Sequence, residues 1–189
     1  MIKIGILGDI GSGKSHIAKI FGYPVFNADN EVAKLYRKDK KIYKRLKKKL
    51  PNHIYSFPIS KDEITNAILA NHYNLKKIIK IVHLEVRKKM LLFLRKNKNK
   101  KIVILDIPLL LENKIYKKND ILIFIKTKKN DVLKRLKKRK NFNQKLFTKF
   151  KNIQLSLDYK KKKSNFIIKN DFSNNSVKKE VRNILNQIL

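Results

Sequence analysis

The sequence predicts an α/β fold: a three-layer sandwich on a five-stranded parallel sheet, with a helical insert and a short lid. Three observations carry this prediction. Short apolar runs rich in Ile alternate with longer stretches of helical spacing, the pattern of strands joined by crossover helices. The first run, Ile2 to Leu7, passes at once into a glycine loop, after which Ile17, Ile20 and Phe21 recur at helical spacing. The stretch from Asn30 to Lys98 is helical in pattern and too long for one crossover, so it is read as a region inserted between strands two and three.

The glycine loop decides the type of sandwich. Gly8, Gly11, Gly13, Lys14 and Ser15 fit the spacing G-x-x-x-x-G-K-[ST] without a mismatch, between a strand and a helix. This is the P-loop NTPase type. Glycines let the backbone wrap a polyphosphate with its N–H groups inward, and the helix N-terminus adds partial positive charge. Asp9, Ile10, Gly11, Ser12, Gly13, Lys14, Ser15 and His16 are the expected ATP-binding loop. Lys14 would reach the β- and γ-phosphates, and the Ser15 hydroxyl would bind Mg²⁺. Gly22 can close the helix in a left-handed turn.

Pro24 to Ala28 reads as the second strand, ending at Asp29. Asn30 to Leu50 reads as one basic helix, its lysines a solvated face. Pro51 and Pro58 punctuate a loop. Ser60 and Glu63 have capping-box spacing and start a helix. Asn71 to Asn74 interrupts it, and Leu75 to Arg95 is helical again in two pieces. Lys101 to Leu105 is a third strand ending in Asp106, an acid placed to hold Mg²⁺ through water beside the phosphate loop. Ile121 to Ile125 is a fourth strand, and Asn130 or Asp131 caps the helix after it. Arg135 and Arg139, four apart, share one face of that helix. Asn141 to Phe150 is polar and expected to be mobile. Phe166 to Ile168 is a fifth strand ending near Asn170. Ser173 to Ser176 caps the last helix, whose Val177, Val181, Ile184, Leu185 and Ile188 make one apolar stripe. The predicted partition is a single domain, with core 1–29, 100–134 and 158–189, insert 30–99 and lid 135–157.

Composition narrows the function. The absence of cysteine excludes disulfides, thiolate zinc sites and cysteine nucleophiles. The chain opens on a strand rather than a leader, and its most apolar stretches are too short to span a bilayer. A soluble cytoplasmic monomer is expected. The formal charge is +34, from 48 Lys and Arg against 14 Asp and Glu. The basic residues are spread along the chain without an RNA-reading aromatic pattern, so they read as compositional drift in a sequence rich in Lys, Ile and Asn. Such a field attracts polyphosphates and permits weak nonspecific binding to nucleic acid. No specific nucleic-acid or membrane partner is expected. All five glycines fall within the first 22 residues. A second glycine-rich loop, as in shikimate-kinase-type substrate loops or an ABC-type signature, is thereby excluded. No Asn-Lys-x-Asp guanine reader occurs.

Taken together the landmarks resemble the dephospho-CoA kinase family along nearly the whole chain. The carrying residues are Gly8 to Ser15, Asn27-Ala28-Asp29, His83, and Leu105-Asp106-Ile107-Pro108-Leu109-Leu110-Leu111-Glu112. Arg135, Arg139, Gln154 and Phe166 to Asn170 follow at family-like separations. The resemblance implies transfer of the ATP γ-phosphate to the ribose 3′-hydroxyl of dephospho-CoA. It implies Asp29 as general base, His83, Arg87, Asp106 and Leu109 on the substrate side, Arg135 and Arg139 at the start of a lid, and Asn170 at the nucleotide end. Lys14 and Arg139 join Asp29 in the implied catalytic set. Asp9, His16, Leu84 and Asn165 depart from the family pattern. Two further readings stand beside this one: another small-molecule or nucleoside monophosphate kinase, and a basic nucleic-acid-binding protein that keeps a nucleotide loop.

Overall fold

The computed structural model describes residues 1–139 and 142–189. Its strands are β1 (Ile2–Gly8), β2 (Val25–Asn27), β3 (Ile102–Asp106), β4 (Ile121–Lys126) and β5 (Phe166–Lys169). They pair in parallel, as expected, in the order β2-β3-β1-β4-β5. β3 is buried at every position and β1 from Ile4 onward, because helices cover both faces of a parallel sheet. The core joins Ile4, Ile6, Ile104, Ile123 and Ile125 to Ile17 of α1 (Lys14–Ile20) and to Phe21, which caps its C-terminus. The predicted apolar stripe of the last helix packs into the same core through Val177, Val181 and Ile184.

The remaining helices are α2 (Ala28–Lys38), α3 (Lys40–Lys49), α4 (Lys61–Ala70), α5 (His72–Lys96), α6 (Lys129–Lys137), α7 (Gln144–Asn152), α8 (Leu157–Lys162) and α9 (Asn174–Ile188). The chain divides into two compact units. Met1–Asn27, Asn97–Phe142 and Ile153–Leu189 hold the sheet with α1, α6, α8 and α9. Ala28–Lys96 with Asn143–Asn152 is wholly helical, comprising α2 to α5 and α7.

Several boundaries differ from expectation, each for a local reason. β2 is only three residues long, and α2 begins at Ala28, directly after it. The expected single helix from Asn30 to Leu50 is two. Asp39 adopts an extended backbone and caps α3, accepting from the N–H groups of Lys41 (2.9 Å) and Ile42 (3.0 Å). In contrast, the expected two pieces after Leu75 are one helix of 25 residues. Leu84 lies within it and keeps the hydrogen-bond ladder that a proline would break. α6 starts earlier than Asn130, with Lys128 as an N-cap lacking a side-chain bond, and it ends at Lys137. Arg139 therefore lies beyond the helix and shares no helical face with Arg135. Its N–H bonds to the Leu136 carbonyl (3.1 Å) in a tightened final turn rich in lysine and arginine. Asn141, the start of the stretch expected to be mobile, lies outside the described residues. From Gln144 that stretch is α7, started by Asn143 Oδ1 accepting the Leu146 N–H (2.9 Å).

The capping box of α4 is present, and it does more than start a helix. Glu63 is 2% exposed. Its carboxylate accepts the N–H groups of Tyr55 (2.7 Å), Ser56 (2.9 Å) and Ser60 (2.8 Å) and the Ser56 hydroxyl (2.7 Å). One buried acid thus holds the whole loop from Tyr55 to Ser60. Burial alone would raise its pKa, but the Ser56, Tyr55 and Ser60 N–H donors and the Ser56 hydroxyl outweigh it, lowering the pKa from 4.5 to about 2. The folded value is the lower one, so the stabilisation is full above about pH 4.5 and is lost as pH falls towards 2. The linkage is worth about 3 kcal/mol. Glu63→Gln should remove that part of the acid sensitivity and cost about 2 kcal/mol at pH 7, by leaving donors unpaired. Urea unfolding of both proteins between pH 2 and 7 checks this. Parallel stability curves would show that Glu63 does not carry the linkage.

Candidate active site

The site begins at the turn between β1 and α1. Gly13 caps α1 at φ +89, in the left-handed region, and a Cβ there would lie 2.6 Å from Asn170 Nδ2. A Cβ at Gly11 would come within 3.0 Å of Leu136 and 3.2 Å of Val132. The loop glycines are thus required by what packs on them as well as by backbone conformation. Lys14 opens α1, and its ammonium donates to the carbonyls of Asp9 (2.7 Å) and Gly8 (3.3 Å). The charge is therefore held over the loop rather than dispersed into solvent.

The other loop residues divide by what their side chains do. Asp9, an acid among phosphate-binding groups, folds back so that Oδ1 accepts the Ile10 N–H (2.8 Å). The Ser12 hydroxyl is buried without a hydrogen-bond partner, and the Ser12 N–H donates to the Asp9 carbonyl (3.2 Å). His16 turns aside, with Nε2 2.8 Å from Asn174 Oδ1.

At the carboxyl ends of β2 and β3, Asn27 and Asp106 stand in register. Asp106 is 2% exposed. The Asn27 amide donates to Asp106 Oδ2 and lies 3.5 Å from the Ser15 hydroxyl oxygen. Both expected metal ligands therefore meet at one amide. The sequence reading gave Asn27 no site role; the available signal was its place at the end of the strand beside Asp106. Two oxygen donors suit a hard cation such as Mg²⁺. Among the described residues no group of three or more His, Cys, Asp or Glu could hold a metal ion.

Asn170, buried at the end of β5, braces the loop from the other side. Its Nδ2 donates to the Ser12 carbonyl (2.8 Å), and its Oδ1 accepts the Phe172 N–H (2.9 Å). The Arg135 guanidinium carbon lies over the Phe172 ring, 4.2 Å from its centroid. Arg139 is exposed. Leu109 is half-buried in the loop after β3, and its carbonyl accepts both the N–H (3.1 Å) and the side-chain amide (2.9 Å) of Asn113. Three residues further on, Glu112 pairs with Lys160 (2.9 Å), which is 1% exposed and also donates to Gln154 Oε1 (3.0 Å). No sequence signal separated that lysine from the many solvated ones. Asn165 pairs in both directions with Leu122: its amide oxygen accepts the Leu122 N–H and its own N–H donates to the Leu122 carbonyl, each at 2.8 Å.

The remaining expected residues lie in the helical unit. Asp29 is exposed in the first turn of α2, two residues after Asn27. His83 is half-buried and Arg87 exposed, four residues apart on α5, so they share one face of that helix.

Comparison with known proteins gives one answer. The family model for dephospho-CoA kinase matches residues 2–176. A dephospho-CoA kinase of Wolbachia pipientis wMel is 33% identical over 190 residues, covering 98% of this chain and 97% of its own. A crystal structure of TT1252 from Thermus thermophilus superposes with a TM-score of 0.78 at 23% identity, covering 100% of this chain and 97% of that one. The dephospho-CoA kinase of Campylobacter jejuni gives 0.63 at 23% identity, covering 98% and 96%. Those two structures speak for the fold. The family match, running from β1 into α9 and spanning the phosphate loop, Asp106 and Asn170, shows that this chain belongs to the dephospho-CoA kinase family of P-loop kinases.

Proposed function

We propose that this chain transfers the γ-phosphate of ATP to the ribose 3′-hydroxyl of dephospho-CoA, giving coenzyme A and ADP, the last step of coenzyme A synthesis. The observation that carries this reading is the family match over residues 2–176, within which the phosphate loop is intact. Backbone N–H groups of residues 9 to 16 cradle the phosphates, and Lys14 neutralises the charge that spreads over the γ-oxygens in transfer. Ser15 and, through water, Asp106 would hold Mg²⁺, which would supply neutralisation of phosphate charge. Asn27 keeps the Asp106 carboxylate oriented. Asp29 takes the proton of the 3′-hydroxyl. Arg135 and Arg139 add planar cationic donors on the ATP side from the stretch that forms a lid, and Asn170 holds the nucleotide end of the loop in shape. His83, Arg87 and Leu109 contact dephospho-CoA. The protein works as a cytoplasmic monomer; no helix among the described residues is long and apolar enough to cross a membrane.

The test is ATP consumption with dephospho-CoA, AMP, UMP and shikimate as acceptors in parallel. Turnover is expected with dephospho-CoA alone. Preference for AMP or UMP would replace this reading by a mononucleotide kinase. Tight polynucleotide binding with no turnover on any acceptor would replace it by a nucleic-acid-binding protein.

A further inference from the structure

Lys160 is the one buried lysine among the described residues, while Lys161, Lys162 and Lys163 beside it are exposed. Taking a cation out of water is costly, so the groups that receive it carry the information. Its ammonium donates to Glu112 Oε1 (2.9 Å) and to Gln154 Oε1 (3.0 Å). Glu112 Oε1 also accepts the Leu155 N–H (3.0 Å). Glu112 belongs to the turn after β3. Gln154 and Leu155 stand where the chain re-enters the sheet unit after α7. One ammonium thus clamps that turn to the returning segment.

The turn is built to hold one shape. Leu110 is buried and fills the space over Gly5 of β1, where a Cβ would come within 2.5 Å of Leu110 Cδ2. The turn closes as a helix end does: the Lys114 N–H donates to the Leu111 carbonyl (3.0 Å) and the Ile115 N–H to the Leu110 carbonyl (3.1 Å). That closure puts Lys114 at φ +49, in the left-handed region that glycine usually takes. Such a conformation persists where the surrounding contacts over-determine it. Leu110 seated on β1 and Glu112 clamped by Lys160 are those contacts. Leu109 lies between Asp106 at the end of β3 and these two anchors, so its place is set from both sides. An apolar pair of similar volume would fill the site of Lys160 and Glu112 as well. What a lysine with two oxygen acceptors adds is direction, because it fixes Glu112 relative to Gln154.

We infer that Lys160 is a positioning residue for the phosphate acceptor: through Glu112 it fixes the turn that carries Leu109, so that this turn is formed before dephospho-CoA arrives. The inference rests on the kinase reading, which puts Leu109 on the acceptor side. A turn already ordered has less conformational freedom to lose on binding, so its loosening shows in the kinetics of the acceptor and not in those of ATP.

The experiment compares Lys160→Met and the double variant Glu112→Gln/Lys160→Met with the wild type, with the exposed Lys161→Met as control. Melting temperature, kcat and KM for ATP and dephospho-CoA, and amide hydrogen exchange at residues 109–115 are measured. Lys160→Met leaves the Glu112 carboxylate without its cation, so its melting temperature should fall. Its kcat/KM for dephospho-CoA should fall about tenfold, a fraction of what an ångström of misplacement can cost, with KM for ATP within about twofold of wild type. The double variant carries neither charge and should melt close to the wild type. It still lacks the link from residue 112 to Gln154, so it should keep the loss of about tenfold. Exchange at Asn113, Lys114 and Ile115 should quicken in both variants while β1 and β3 stay protected. Lys161→Met should match the wild type throughout. Unchanged kcat/KM for dephospho-CoA in Lys160→Met overturns the inference. Recovery of that kcat/KM together with the melting temperature in the double variant overturns it too, and makes Lys160 a stabilising residue only. Failure of the wild type to phosphorylate dephospho-CoA overturns the kinase reading instead, and exchange at residues 113–115 then decides whether Lys160 holds the turn.

Discussion

Lys14→Ala is expected to lower kcat by about 10³-fold, the cost of removing one preorganised charge from a transition state. Phosphoryl transfer spreads charge over the γ-oxygens, and the protein's contribution is almost entirely positioning and electrostatics. The Lys14 ammonium is held over the loop. It is held by the Asp9 and Gly8 carbonyls at 2.7 and 3.3 Å, so little reorganisation is needed when phosphates arrive. Its loss should leave the fold alone, since alanine is a strong helix former at the first position of α1. The melting temperature should therefore move by no more than about 4 °C. Single-turnover kinetics and a thermal melt check the two halves. Turnover near the wild-type value would refute the assignment of residues 8 to 15 as the phosphate loop.

Asp29→Asn should lower kcat by about 10²-fold or more, the usual worth of a positioned general base. A ribose hydroxyl is a poor nucleophile at neutral pH and must give up its proton as the new bond forms. Asp29 follows β2 by two residues and is exposed, in the first turn of α2. Its place in the first turn of α2 offers a rival role, favourable interaction with the helix dipole, worth only about 0.5 kcal/mol. Asparagine keeps the size and loses the base. The expected signature is slow turnover with unchanged ATP affinity and melting temperature. Loss of stability with normal turnover would instead make Asp29 a helix-start residue and nothing more.

Legibility differed between site residues for identifiable reasons. The phosphate loop could be read because its chemistry is carried by backbone and glycines at fixed spacing. Asp106 could be read because it ends an apolar strand. Asn27 was missed because its role depends on β2 lying beside β3, which brings its amide to Asp106 Oδ2 and towards Ser15. The contact of Arg135 with Phe172 was not legible because neither a left-handed φ nor a cation–ring contact leaves a periodic trace. The pairing of Arg135 with Arg139 was misread from spacing alone. Four residues apart means one face only while the helix lasts, and α6 stops at Lys137.

By itself the sequence determined the α/β class, the five strands, the phosphate loop and the capping box at Ser60 and Glu63. Each is written in local terms: apolar runs whose length and spacing match a buried element, glycines at fixed offsets, a cap three residues from its acid. Tertiary structure alone decided which side chains meet. It brought Glu112 of the loop after β3 to Lys160 of α8, and made one lysine among many a nearly inaccessible ion-pair partner. It made Asn170 a brace for Ser12 across 158 residues of chain. It also turned Arg135 from one surface cation among many into one lying over the Phe172 ring. These depend on strand order and on the packing of distant segments, so a buried partner and a solvated one look alike until the chain has folded.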